Sequence, residues 1–209
     1  MNIMQKVIRR VQKYIYRKRL KNKDFTIISN SCWGGVVYNM LGLRFDSPFI
    51  NLDCDDKDFY KVATNLKTYM SYELKFVHSI EKYPTAYLGD VLLRFVHYHS
   101  DDEARDKWNE RRERIHYDNI FFLVSDRPNG DKIVTDDEIR AVAELPFRGK
   151  VVFSVRDIAG LNYLVKLDKD IEGDFVNIYM LDKTSFLKRW RWETKFDWVH
   201  FLNTGEVKK

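Results

Sequence analysis

Thr26-Ile-Ile-Ser-Asn-Ser-Cys-Trp-Gly-Gly35 reads as a β-strand that stops at a polar turn, presents one thiol, and opens a helix on paired glycines. The buried strand is Phe25 to Ser29 and the helix Gly34 to Leu41, so the stretch is a strand–turn–helix elbow. Ligands of open α/β sheets gather beyond the carboxyl ends of the strands, and a helix N-terminus favours a thiolate. Cys32 is therefore the candidate nucleophile. Gly34 and Gly35 would let backbone amides approach a developing oxyanion or a phosphate. The spacing matches neither a Walker loop nor Gly-x-Gly-x-x-Gly, which argues against an ATP or NAD site. The competing reading is structural, with Cys32 a small buried hydrophobe beside Trp33 and the glycines serving only a tight turn.

Outward from the elbow, the elements alternate. Asp58 to Met70 has the helical spacing, with Phe59, Val62, Ala63, Leu66 and Tyr69 inward. Tyr87 to Tyr98 is strand-like. Ser100-Asp-Asp-Glu103 and Thr135-Asp-Asp-Glu138 are capping-box signatures, opening helices that end near His116 and at Leu145 before Pro146. Asn119 to Ser125 and Lys150 to Val155 read as buried strands, and Ser185 to Asn203 as one or two aromatic-rich helices. Gly160 to Lys183 carries no clear pattern. Strand, helix, strand, helix, strand predicts an α/β fold, a single domain with a mostly parallel sheet flanked by helices. At 209 residues, 44% hydrophobic and 15% aromatic, with 9 Gly and 4 Pro, the chain can bury a core, which excludes disordered, collagen-like and mucin-like classes.

The charge is uneven. Residues 1–23 hold nine bases and no acid, so the net +5 belongs to this segment and residues 24–209 are mildly acidic. Ile3, Met4, Val7, Ile8, Val11, Tyr14 and Ile15 recur every three or four residues, which predicts a basic amphipathic helix over 1–23 ahead of an α/β domain over 24–209. Arg9, Arg10 and Lys13 break any secretory or membrane-spanning stretch. The helix would either pack on its own domain or lie on an anionic membrane surface; sequence-specific nucleic acid is not expected, because no basic groove runs over the body. Cys32 and Cys54 are too few for a disulfide scaffold, which points to a reducing, cytoplasmic compartment, at the inner membrane face if the helix docks there.

A cysteine nucleophile needs a base. His97 and His99 lie where the Tyr87 to Tyr98 run ends, which a parallel strand would bring to the edge that carries Cys32. His78, His116 and His200 fall on or near helices. Asp126 follows a strand and could orient a histidine or hold a sugar hydroxyl; otherwise it is a turn former before Arg127 and Pro128. Arg111, Arg112 and Arg114 are either a solvated face paired with Glu110 and Glu113 or a clamp for phosphate or carboxylate. Around Cys32 and His97, the candidates for substrate contact are Asn30, Trp33, Gly34, Gly35, Arg111, Arg112 and Arg127. Asp53, Asp55, Asp56 and Asp58 lack the glycine and terminal glutamate of a calcium loop, so no metal is expected.

Ile28 to Gly35, Leu41-Gly-Leu-Arg-Phe-Asp-Ser-Pro-Phe49, Tyr83-Pro, Leu88-Gly-Asp90, Phe95-Val-His-Tyr98, Glu103-Ala, Lys107-Trp, Arg111-Arg and Phe122 to Arg127 together resemble a bacterial family, domain of unknown function 1919, over nearly the whole chain. Its members are often labelled exopolysaccharide or capsular polysaccharide biosynthesis proteins. The resemblance thus implies a role in making or modifying surface glycans, with Cys32 and His97 carried over from matched motifs. The order of Cys, Leu-Gly-Leu-Arg and Pro-Phe is also similar to a group described as papain-like cysteine peptidases, though the Cys-Gly-Ser-Cys-Trp signature is absent.

Two functions follow as expectations. One is an enzyme of polysaccharide assembly working on a glycan or lipid-linked glycan, by acyl or glycosyl-group transfer or ester hydrolysis. Its co-substrate would be an activated acyl donor or a nucleotide-sugar donor, the latter met by Arg111 and Arg112. The other is a non-catalytic membrane-associated protein that binds glycan or a partner, with Trp33 and the Trp190, Trp192 and Trp198 cluster as sugar-stacking platforms.

Overall fold

The computed structural model describes residues 3–78, 80–126, 135–168, 181–182, 185 and 189–208. In chain order come α1 (Ile3–Arg19), β1 (Thr26–Ser29), α2 (Trp33–Leu41), α3 (Asp56–Thr64) and α4 (Leu66–Met70). Then follow β2 (Leu74–Val77), β3 (Thr85–Leu88), β4 (Val91–Arg94), α5 (Asp101–Arg112) and β5 (Ile120–Ser125). The remainder is α6 (Asp136–Ala141) with a 3-10 turn at Val142–Glu144, β6 (Gly149–Ser154), β7 (Leu164–Lys166), α7 (Arg191–Lys195) and α8 (Trp198–Thr204).

The main sheet has the order β1-β5-β6-β7 and every pairing is parallel. Its strands are apolar runs with both faces buried, as parallel strands covered by helices must be. Alternation sorts them into two cores. Ile28, Ile120, Phe122, Val124, Val152 and Leu164 meet α3, α4, α5 and α6 on one face. Ile27, Phe121, Leu123, Val151, Phe153 and Val165 meet α1, α2, α7 and α8 on the other. Helices, sheet and helices form three layers, and the α/β expectation holds.

Capping signals acted where they were read. Ser100 Oγ accepts the Glu103 amide at 3.1 Å, and the Thr135–Glu138 box is reciprocal. The helix expected from Asp58 to Met70 is two, α3 and α4, parted at Asn65, whose backbone leaves the helical range. The helix expected to reach Leu145 tightens to 3-10 after Ala141.

The main correction concerns Tyr87 to Tyr98. In place of one strand of the parallel sheet, it spans the end of β3, a turn and β4 of a separate antiparallel sheet ordered β2-β3-β4. Leu88 pairs with Val91 across the two-residue loop Gly89-Asp90, where Gly89 has φ +62°, a hairpin geometry that glycine enters without Cβ strain.

Candidate functional site

Cys32 occupies the N-cap position of α2, with its side chain exposed, not sealed in the core. The elbow is held from below. Asn30 Oδ1 accepts the Ser125 amide at 2.8 Å, while its Nδ2 donates to Ser125 O and to Asp56 Oδ1, both at 3.1 Å. Asn30 thereby ties the end of β1 to the end of β5 and the start of α3. Gly34 is closely packed: a Cβ there would stand 3.1 Å from Ile27 Cγ2, 3.2 Å from Ile50 Cδ1 and 3.3 Å from Ser29 Oγ, so a larger residue would make these side chains give way by a few tenths of an ångström. In the first turn of α2 the Trp33 amide donates to Ser31 Oγ at 3.5 Å, while those of Gly34 and Gly35 have no acceptor within the helix, and Gly35 lines the same cavity as Cys32.

His97 lies in the turn after β4 and is exposed. It arrives from the antiparallel sheet, by a route different from the one the sequence implied. Both residues line one cavity of about 440 Å³. α1 supplies Arg9 and Lys13; α2 supplies Gly35, Val36, Asn39 and Met40; the segment between α2 and α3 supplies Phe45 and Asn51; Trp190 closes one side. No hydrogen bond joins the thiol to the imidazole; what they share is the cavity. The cavity is a lateral seam between α1, α2 and the 43–51 segment. Among the described residues the sheet order has no reversal, and hence no topological switch point at which a crevice would open in the sheet itself.

The cavity lining is basic, although Arg9 is already paired with Glu193 at 2.8 Å. Arg9, Lys13 and His97 line the cavity, and among the described residues no acid does. Burial, with Arg9 and Arg17 beside it, lowers the Lys13 ammonium below its ordinary value, as expected where positive charge is crowded. Such a wall suits an anionic group on a partly apolar ligand.

The other expected residues stand elsewhere. Trp33 is fully buried, packed edge-on to Phe153 and Trp192, and offers no face to a sugar. Trp192 and Trp198 are buried too, so of that cluster only Trp190 reaches the cavity. Asp126 accepts from Ser154 Oγ at 2.6 Å and Arg156 Nε at 2.9 Å; its partners include no histidine. His99 belongs to a second cavity of about 470 Å³ with His78 and Glu81. His116 faces Asp46 at 3.4 Å. Arg127 lies outside the described residues. Asp53 and Asp55 both pair with Arg94, at 2.8 and 2.9 Å, which accounts for two of the four clustered aspartates.

The arginine run keeps the expected pairing, Arg114 with Glu110 at 2.9 Å and Arg112 with Glu113 at 3.7 Å, but it is largely turned inward and not a solvated face. Arg111 is buried and donates to Ile50 O at 3.1 Å and Tyr98 Oη at 2.6 Å. Arg114 donates to Phe45 O at 2.9 Å, and Arg112 to Tyr72 O at 3.0 Å and Glu73 at 2.8 Å. Two of the three thus pin the segment carrying Phe45 and Asn51, and Arg111 also holds the tyrosine next to His97. They shape the cavity from behind. Missed in the sequence were Asn51, Arg9 and Lys13. Asn51 has φ +65°, a conformation asparagine tolerates better than most residues, and its place after Pro48-Phe-Ile was the available signal. The sequence places Arg9 and Lys13 only on the basic face of a helix that would either pack on its own domain or lie on a membrane surface; it packs on the domain.

A family model described as "Domain of unknown function (DUF1919)" matches residues 3–203. A Haemophilus influenzae protein described as uncharacterized is 36% identical over 161 residues, covering 74% of this chain and 76% of that one.

Proposed function

The chain belongs to the DUF1919 family, and on that footing we propose that it is a cysteine-dependent acyl-transfer or ester-hydrolysing enzyme of bacterial surface (exo- or capsular) polysaccharide biosynthesis or modification. The observation that carries the chemistry is the shared cavity of Cys32 and His97 with its cationic wall. The polysaccharide setting rests on the labels that family members often bear.

In this reading Cys32 Sγ attacks the carbonyl carbon of an activated acyl donor and His97 takes the thiol proton. The amides at the start of α2 hold the oxyanion as the tetrahedral intermediate forms. Collapse breaks the bond to the donor's leaving group, which departs with the proton from His97 and leaves a thioester on Cys32. A sugar hydroxyl, or water, then gives its proton to His97 and attacks the thioester, and the released thiolate is reprotonated. Arg9 and Lys13 would meet an anionic part of donor or glycan. Glycosyl transfer from a nucleotide sugar is less well supported, because Arg111 and Arg112, which it needs at the diphosphate, are engaged with backbone carbonyls away from the cavity.

With p-nitrophenyl acetate as surrogate donor, the protein is expected to release p-nitrophenolate in a burst and carry one acetyl group on Cys32, read by peptide mass mapping. His97→Gln should slow the burst by about 10²-fold or more, and Cys32→Ser should lose the thioester. In cells, Cys32→Ser should leave the surface polysaccharide under-acylated. Acetylation no faster than that of free cysteine, and unchanged by His97→Gln, would make the protein a binding module instead.

A further inference from the structure

α1 docks on the body by the side opposite its apolar stripe. Arg9 pairs with the buried carboxylate of Glu193 at 2.8 Å, and its guanidinium lies 4.3 Å over the ring of Trp190. Tyr16 donates to Glu193 at 3.2 Å and packs edge-on to Trp198, while Gln12 is buried between these contacts in the helix. The stripe is left outside: Ile3 is 82% exposed, Met4 64%, Tyr14 62% and Val11 53%. A surface helix ordinarily turns such a stripe into the core. Here, over 17 residues or about 25 Å, it is turned out.

Charge decides what covers it. Helical periodicity sets Lys6 and Arg10 along one flank of the stripe and Lys18 within its far end, and all three are exposed. A second copy of the chain would bring Lys6, Arg10 and Lys18 against their counterparts across the stripe, with no acid in residues 1–23 of either copy to compensate. An anionic lipid surface matches the stripe and its charge together, since acyl chains take the apolar residues and phosphates the flanking cations.

We propose that α1 is a docked, interfacial membrane anchor, seating the Ile3–Ile15 stripe in the headgroup boundary of a bilayer containing anionic phospholipid. The test is sedimentation of the full chain with vesicles of phosphatidylglycerol in phosphatidylcholine and with phosphatidylcholine alone. Binding should be roughly tenfold or more tighter on the anionic vesicles and should weaken with salt. Val7→Asp/Val11→Asp, both at exposed positions, should cut it at least roughly tenfold with the circular dichroism unchanged, and Lys6→Glu/Arg10→Glu should do the same. Three outcomes would overturn the proposal: equal binding to both vesicles, binding indifferent to Val7→Asp/Val11→Asp, or a concentration-dependent dimer that this variant abolishes. The acetylation burst of these variants should stay at the wild-type level, so anchor and chemistry are tested separately.

Discussion

Cys32 and Cys54 have the same side chain and opposite surroundings. Cys32 opens to a cavity, whereas Cys54 is buried, and that burial, with Asp53 next to it, pushes its thiol well above the ordinary value. Iodoacetamide should therefore alkylate the native protein at Cys32 alone, with Cys54 reacting only in denaturant; peptide mapping after timed quenching reads both sites. Equal native labelling would mean that the α2 elbow is not the accessible thiol. At this scale the sequence was informative where residue type and local geometry coincide, as in a thiol between a strand and paired glycines. It misled where the type allows two environments. Trp33 reads equally as a stacking face or as core, and only the packing of Phe153 and Trp192 around it decides.

The α5 arginines belong to the scale of elements, because their role is to tie segments together. Arg111→Ala removes both hydrogen bonds to Ile50 O and Tyr98 Oη, along with packing against Phe45. It should cost about 2–3 kcal/mol, measured by urea unfolding, and slow the acetylation burst because the cavity wall and the neighbour of His97 are loosened. Arg111→Lys should recover part of the stability, since one ammonium cannot reproduce the planar fork. Neither role was legible beforehand. A cationic run beside Glu110 and Glu113 satisfies the pattern of a solvated face, and nothing local says that two of its members turn inward to carbonyls some 60 to 70 residues back in the chain. The β3–β4 hairpin was legible in principle: Leu88-Gly-Asp-Val91 is a two-residue turn between alternating runs. Reading through the glycine merged two short strands into one long one, and so assigned His97 to the wrong sheet.

Across the molecule, the alternation of buried strands and capped helices was sufficient for the parallel sheet, since crossover connections leave few other arrangements. The place of α1 was not, because a helix with one apolar and one basic face predicts burial of the apolar side, and the structure buries Arg9 against Glu193 instead. The N- and C-terminal segments are joined a second time at Asp197, which caps α8 through the His200 amide at 3.0 Å and pairs with Arg19. Burial by itself would raise the Asp197 carboxyl, but the His200 amide and Arg19 outweigh it and hold the group below its ordinary value. A lowered carboxyl stabilises the fold fully above roughly pH 4 and ceases to do so as the pH falls through its native value. Asp197→Ala should thus cost about 1 kcal/mol at neutral pH, and the gap in Tm from the wild type should close in acid. These joints make α1 a party wall: its inner side encloses the cavity and its outer side meets the surroundings. Shearing off the first nineteen residues would breach the cavity and lay Glu193 and Trp190 open to water, so the stretch that looks like an appendage in one dimension is masonry in three.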